Sequence, residues 1–157
     1  MTIKLLTVGK TDKKDLEQLI LVYIHRLKHY VKFESIVIPH LKNTKNLSEN
    51  QQKAKEGELI LQRIENSDFV VLLDENGKQF TSVEFAGYLQ KKMNSGLRNL
   101  IFVIGGPYGF DPSVMKRGNT NISLSKMTFS HQMIRLFFVE QVYRAFTILR
   151  NEPYHHQ

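Results

Sequence analysis

Leu100-Ile101-Phe102-Val103-Ile104-Gly105-Gly106-Pro107-Tyr108-Gly109 is the stretch that decides the fold. Five apolar residues in a row, closed by glycine, predict a strand buried on both faces. Such strands belong to parallel sheets covered by helices on both sides. The glycines stand directly after the strand, where open α/β sheets bind ligands. They do not form the GxGxxG fingerprint, and no GK[ST] follows, so neither a dinucleotide fold nor a P-loop is indicated. Two readings stay open for the loop. One is a tight turn; the other is a ligand loop whose glycines let backbone amides approach closely.

The same alternation extends outward in both directions. Ile3–Val8, Glu34–Pro39, Phe69–Leu73 and Ile122–Leu124 read as further strands. Between them, Asp12–Tyr30 carries Leu16, Leu19, Ile20, Tyr23, Ile24 and Leu27 at helical spacing. Leu41–Leu47 reads as a loop. Ser48 and Gln51 have capping-box spacing and open a helix to about Glu65. Asn76-Gly77 reads as a turn. Thr81 and Glu84 open the next helix, which stops at Gly96. Asp111-Pro112 marks an N-cap followed by proline at the first helical position. The last helix, from about Ser130 to Arg150, is apolar nearly all round. At this chain length such a helix predicts cover from a second subunit, hence a homodimer; full burial within one chain is the alternative. The expected architecture is α/β, a mostly parallel sheet with helices on both faces, in one domain over residues 1–157.

Composition bounds the chemistry. With 157 residues and 41% hydrophobic content, the chain can build a core. It has no cysteine, which excludes disulfides, thiol nucleophiles and cysteine-ligated metals. No apolar run spans a bilayer and the first residues lack a signal-peptide pattern, so no membrane partner and a cytoplasmic location are expected. Twenty-two Lys and Arg against fifteen Asp and Glu give +7, a balance that favours a polyanionic partner without deciding the fold.

Three segments could carry function: the glycine loop, Leu124-Ser125-Lys126-Met127-Thr128-Phe129, and the tail Arg150–Gln157. The second lies between a strand end and a helix start, where free backbone groups can read a planar base. It could equally be a plain connection. In the tail region, Arg135, Arg144 and Arg150 offer fixed charge for phosphate, and Tyr154 offers a stacking surface. His155-His156 lacks the carboxylates of a metal site. His131 reads as a cap or packed residue, and His25, His29 and His40 as surface residues. Asp74 and Glu75, at a strand end, either bind a ribose or begin a turn.

Taken together, FVIGGPYGF (102–110) and ISLSKMTFSHQMIRLFFVEQVYRAFTILRNEPYHH (122–156) closely resemble the ribosomal RNA large subunit methyltransferase H family of the SPOUT class. The likeness runs from the opening IKLLTVGK to the tail. It implies a SPOUT-type fold with a carboxy-terminal trefoil knot, an exception to unknotted connections. It implies S-adenosylmethionine as methyl donor without a metal, and a homodimer with each site at the subunit interface. The implied substrate is N3 of a pseudouridine in helix 69 of 23S rRNA, on assembled ribosomes. By position, Leu73, Gly105, Leu124, Ser125, Lys126, Met127, Thr128 and Phe129 would contact the donor. Arg144, Arg150, Tyr154 and His155 would serve the RNA side, with His155 the candidate base and the arginines positioning or stabilising an anion. Two rival readings are a non-catalytic ribosome-binding factor and a nucleotide-binding enzyme.

Overall fold

The computed structural model describes residues 1–156. Five strands form one sheet: β1 (Thr2–Val8), β2 (Lys32–Ile38), β3 (Phe69–Gln79), β4 (Asn99–Ile104) and β5 (Thr120–Ser123). Their order is β2-β1-β4-β3-β5, and every pairing is parallel. The helices are α1 (Lys14–Leu27), α2 (Glu49–Leu61), α3 (Ser82–Asn94), α4 (Pro112–Arg117) and α5 (Met133–Leu149). A single 3-10 turn, Thr44–Asn46, lies within the segment expected as loop.

Alternation along the central strands divides the core. Ile3, Leu5, Leu100, Phe102 and Ile104 point to one face, with buried residues of α1, α3 and α5. Leu6, Val8, Ile101 and Val103 point to the other, with Ile60 of α2 and Val114 of α4. Phe102 and Phe138 are both fully buried, their ring centroids 4.7 Å apart, which fixes α5 over β4.

Local signals set several boundaries. Ser48 Oγ accepts from the Gln51 amide, and the Gln51 side chain answers the Ser48 amide. Thr81 and Glu84 do the same for α3. Asp111 accepts from the Ser113 amide, and Pro112 opens α4. Gly96 has φ of +76°, as a helix stop requires.

Two expectations are corrected. Asn76-Gly77 is no turn, for β3 runs through it to Gln79. The ladder to β5 shifts register between Leu73 and Lys78, and Asp74–Gly77 forms the irregularity. Gly77 is there for space: a Cβ would lie 2.6 Å from the backbone N and C of Ile122. Arg135 offers no charge to a phosphate, because it is 2% exposed. Its guanidinium donates to the carbonyls of Val8 (2.8 Å), Gly9 (2.9 Å) and His131 (3.0 Å), closing the carboxyl end of β1. Arg135→Met should strand these acceptors and cost about 2–3 kcal/mol, read as a lowered urea midpoint at constant m-value.

The apolar α5 finds most of its cover inside the chain. It packs between α1 and α3, burying Phe138, Val139, Val142, Ala145 and Phe146. Met133 and Phe137 remain 40% exposed, one turn apart on the outer side.

Candidate functional site

β5 is an edge strand beside β3, whereas α5 starts against the end of β1. The connection Leu124–Gln132 therefore crosses the carboxyl ends of β3 and β4. The β4–α4 loop, Gly105–Asp111, stands over the same ends. Between the two loops lies a cavity of about 760 Å³, within the range of small-molecule sites. Its apolar lining includes Leu73, Ile104, Met115, Ile122, Leu124, Met127, Phe129 and Ile134.

Of the residues assigned to donor binding by position, Leu73, Gly105, Leu124, Ser125, Met127, Thr128 and Phe129 line this cavity, and Lys126 does not. Lys126 is exposed. Asp74 and Glu75 also line it, presented by the β3 irregularity. Asp74 accepts from the Asn76 amide at 2.9 Å. Glu75 accepts from the Thr128 hydroxyl at 3.0 Å, tying one wall to the other. The loop rests on a buried acid. Glu56, 3% exposed, has one carboxylate oxygen bonded to Gln52 and the other without a partner among the described residues. A Cβ on Gly106 would overlap that carboxylate. Nothing in the run Lys53–Glu58 distinguishes Glu56 from a surface acid, so the sequence carries no signal of this support.

His131 lines the cavity, and its pKa is lowered from 6.5 first by burial and then by Arg135. His40 adds to the lowering, while Asp12 and Glu56 oppose it. A depressed histidine resists protonation in the folded state, so the unfolded chain takes up more protons below the ordinary value. Stability should thus be lost as pH falls through 6.5. Urea midpoints measured at about pH 7 and about pH 5.5 should show this loss, and His131→Asn should flatten it.

The second group of expected site residues sits at the other end of α5. Glu140 bonds Arg144 Nη2 at 2.6 Å and Nε at 3.1 Å, a helical i,i+4 pair that raises the arginine pKa. The Tyr154 hydroxyl donates to Glu140 at 3.0 Å and lies 3.3 Å from the Tyr23 hydroxyl. Burial, then these bonds, push the Tyr154 pKa far up, so it stays protonated. Arg144 Nη1 lies 3.3 Å from His155 Nδ1. Guanidinium has no acceptor, so Nδ1 accepts and the ring hydrogen sits on Nε2. That Nε2 is buried without a partner among the described residues. Arg150 is exposed, its Cζ 4.4 Å from the Tyr30 ring centroid. The Tyr30 hydroxyl donates to Glu152, which, with burial, raises its pKa to about 12. Gln157 lies outside the described residues.

One chain does not bring the two groups together. Ile134 lines the cavity, and ten residues separate it from Arg144, about 15 Å along the helix. The sequence also missed the two supports of the tail cluster. Glu140, four residues before Arg144, was findable as an ion pair by spacing; Tyr23, on another helix, was not.

A family model described as predicted SPOUT methyltransferase matches residues 1–155. Proteins named ribosomal RNA large subunit methyltransferase H are similar over the full length of both chains. They include one from Christiangramia forsetii at 71% identity, one from Flavobacterium johnsoniae at 62% and one from Parabacteroides distasonis at 59%. With a parallel sheet, a cavity at its strand ends and a family match over nearly every residue, this chain belongs to the SPOUT methyltransferases.

Proposed function

We propose that the chain methylates N3 of a pseudouridine in helix 69 of 23S rRNA, on assembled ribosomes in the cytoplasm, with S-adenosylmethionine as donor. The observation that carries this reading is the 71% identity, over both whole chains, to a protein named ribosomal RNA large subunit methyltransferase H. No helix among the described residues is long and apolar enough to cross a membrane. In this reading residues 1–157 act as one methyltransferase domain with a trefoil knot formed by the crossing of Leu124–Gln132.

The cavity suits the donor. Its volume accommodates a nucleoside bearing an amino-acid arm, apolar walls suit the adenine, and two carboxylates suit hydroxyls and positive charge. Bound S-adenosylmethionine supplies an electrophilic methyl group and a neutral thioether leaving group, so no metal is needed. Leu73, Leu124 and Phe129 would hold the base, and the loops at Gly105 and Ser125 would offer backbone groups. Lys126 would lie at the rim.

The functional unit is a homodimer. Met133, Phe137 and Arg144 follow one outer side of α5, leading from the cavity to the tail cluster. A two-fold axis that sets two α5 helices antiparallel would cover the exposed Phe137. It would also carry each tail to the partner's cavity, closing the gap of about 15 Å along the helix.

At that composite site, N3 gives its proton to solvent water and then attacks the donor methyl, whose bond to sulfur breaks to leave the neutral thioether. The lone pair of His155 Nδ1 faces Arg144, so the ring is poorly placed to act as base. Instead, His155 Nδ1 would hold the Arg144 guanidinium, which would donate to a carbonyl oxygen that gains charge as the proton leaves. Arg150 would position the RNA, and Tyr154 would stack. His155→Ala should slow single turnover at saturating ribosomes about tenfold to a hundredfold, without moving the pH–rate profile. A shifted profile would restore the base role.

Mass mapping of 23S rRNA from cells with and without the gene tests the whole reading. The expected result is loss of one methyl on one pseudouridine. Unchanged rRNA would favour a ribosome-binding factor that no longer catalyses.

A further inference from the structure

A belt of aromatic rings links the tail to α1. Tyr154 and Tyr143 are 4.8 Å apart between centroids, Tyr143 and Tyr23 5.9 Å, and Tyr143 and Tyr30 5.8 Å. Three guanidinium groups lie on this belt. Arg144 covers Tyr154 at 4.8 Å and is neutralised by Glu140. Arg26 sits 5.4 Å from the Tyr23 centroid and 5.5 Å from that of Tyr143. Arg150 sits over Tyr30.

Neither Arg26 nor Arg150 belongs to an ion pair among the described residues, where only Lys32–Glu34 and Arg144–Glu140 occur. Glu152 accepts from the Tyr30 hydroxyl and keeps its charge, and Glu34 pairs with Lys32. Asp15 and Glu17 stand at the opposite end of α1. Both arginines are exposed, as are Lys28 and the imidazoles of His25 and His29. Arg150 makes one long contact, 3.5 Å to the His29 carbonyl. A guanidinium held by its flat face on a ring loses little freedom when its N–H edge meets an anion. The patch is therefore net positive, with Arg26, Lys28 and Arg150 against the one carboxylate of Glu152, and its guanidinium groups rest on the belt that runs into the Arg144–Tyr154–His155 cluster.

We infer that Arg26, with Arg150, grips the phosphates flanking the nucleotide that is methylated. Arg26 is a positioning residue that touches substrate backbone and not the reacting atoms. The inference rests on the reading of the substrate as ribosomal RNA. Planar, bidentate donors suit phosphate, and the shared Tyr143 sets the grip beside the tail rather than on a remote face.

The full-length wild type, Arg26→Ala and Arg26→Lys are compared on ribosomes over a salt series, with donor affinity measured by calorimetry. Arg26→Ala should raise KM for ribosomes about tenfold at moderate salt, with kcat and donor affinity within about twofold. The slope of log affinity against log salt should become shallower by about 1, as for one lost phosphate contact. Arg26→Lys should recover the slope and only part of the affinity, since ammonium cannot bind in bidentate fashion. An unchanged KM and slope in Arg26→Ala overturns the inference. So does a fall in kcat alone, which would put Arg26 in the chemistry, or equal competition by polyglutamate and RNA, which would assign the patch to an acidic protein. Should wild type bind ribosomes with this salt response yet transfer no methyl, the contact stands and the reaction falls. Should it not bind them, both fall.

Discussion

Gly77→Ala should lower stability by about 3–4 kcal/mol, a fall of roughly 10 °C in melting temperature for a domain of this size. Gly77 is not in the left-handed region, so alanine meets no dihedral penalty there. The cost is steric. The new methyl would lie 2.6 Å from backbone atoms of Ile122 and 2.7 Å from the carbonyl carbon of Asn121. Backbone cannot rotate aside as a side chain can, so β3 and β5 would have to part. Their register on either side of the irregularity would be lost, and Asp74 and Glu75 would leave the cavity wall. Thermal unfolding and donor binding should therefore fail together. A variant with wild-type melting temperature and wild-type donor affinity would show that β3 and β5 do not approach this closely.

Arg144→Ala should reduce methylation by about a hundredfold to a thousandfold, the usual cost of one donor to a developing anion. Releasing Glu140 and His155 from Arg144, and uncovering the Tyr154 ring, adds to that loss. The more informative experiment mixes chains. Ser125→Trp would fill the cavity while leaving the tail intact; Arg144→Ala does the reverse. Each homodimer should be nearly inactive. After unfolding and refolding an equal mixture, half the dimers should be mixed, each with one undamaged site. Activity should return to about a quarter of wild type. If each chain completed its own site, mixing would restore nothing.

What the sequence made legible was local. Ser48 with Gln51, Thr81 with Glu84 and Asp111 with Pro112 set helix starts through bonds spanning three residues or fewer, so spacing sufficed. The buried run Leu100–Ile104 declared itself by the absence of any polar residue. The misread positions depend on distant parts of the chain. Asn76-Gly77 carries an ordinary turn signal, and only the passage of Ile122 reveals why glycine stands there. Arg135 looks like any surface arginine until β1 ends beneath it. Family likeness rather than periodicity singled out Leu124–Phe129, of which all but Lys126 line the cavity. The separation of cavity and tail along α5 follows from helix geometry once both are placed, but spacing alone cannot say which neighbour fills the gap.

The clasp of Arg135 on the first strand has a consequence for how the protein is made. The Val8 carbonyl waits for a donor 127 residues further along the chain. Its strand finds β2 early on one edge, but the other edge needs β4, with Ile3 opposite Leu100. A nascent chain therefore leaves the exit tunnel with one edge of its first strand open for most of translation. Native order arrives only after α5 has emerged, so folding should be slow and almost wholly post-translational. Ribosome-held chains truncated before Arg135 should be cut readily by protease, and chains that include α5 and a spacer should resist it. An enzyme proposed to finish ribosomes would depend on one to release its last helix before it could hold its first strand.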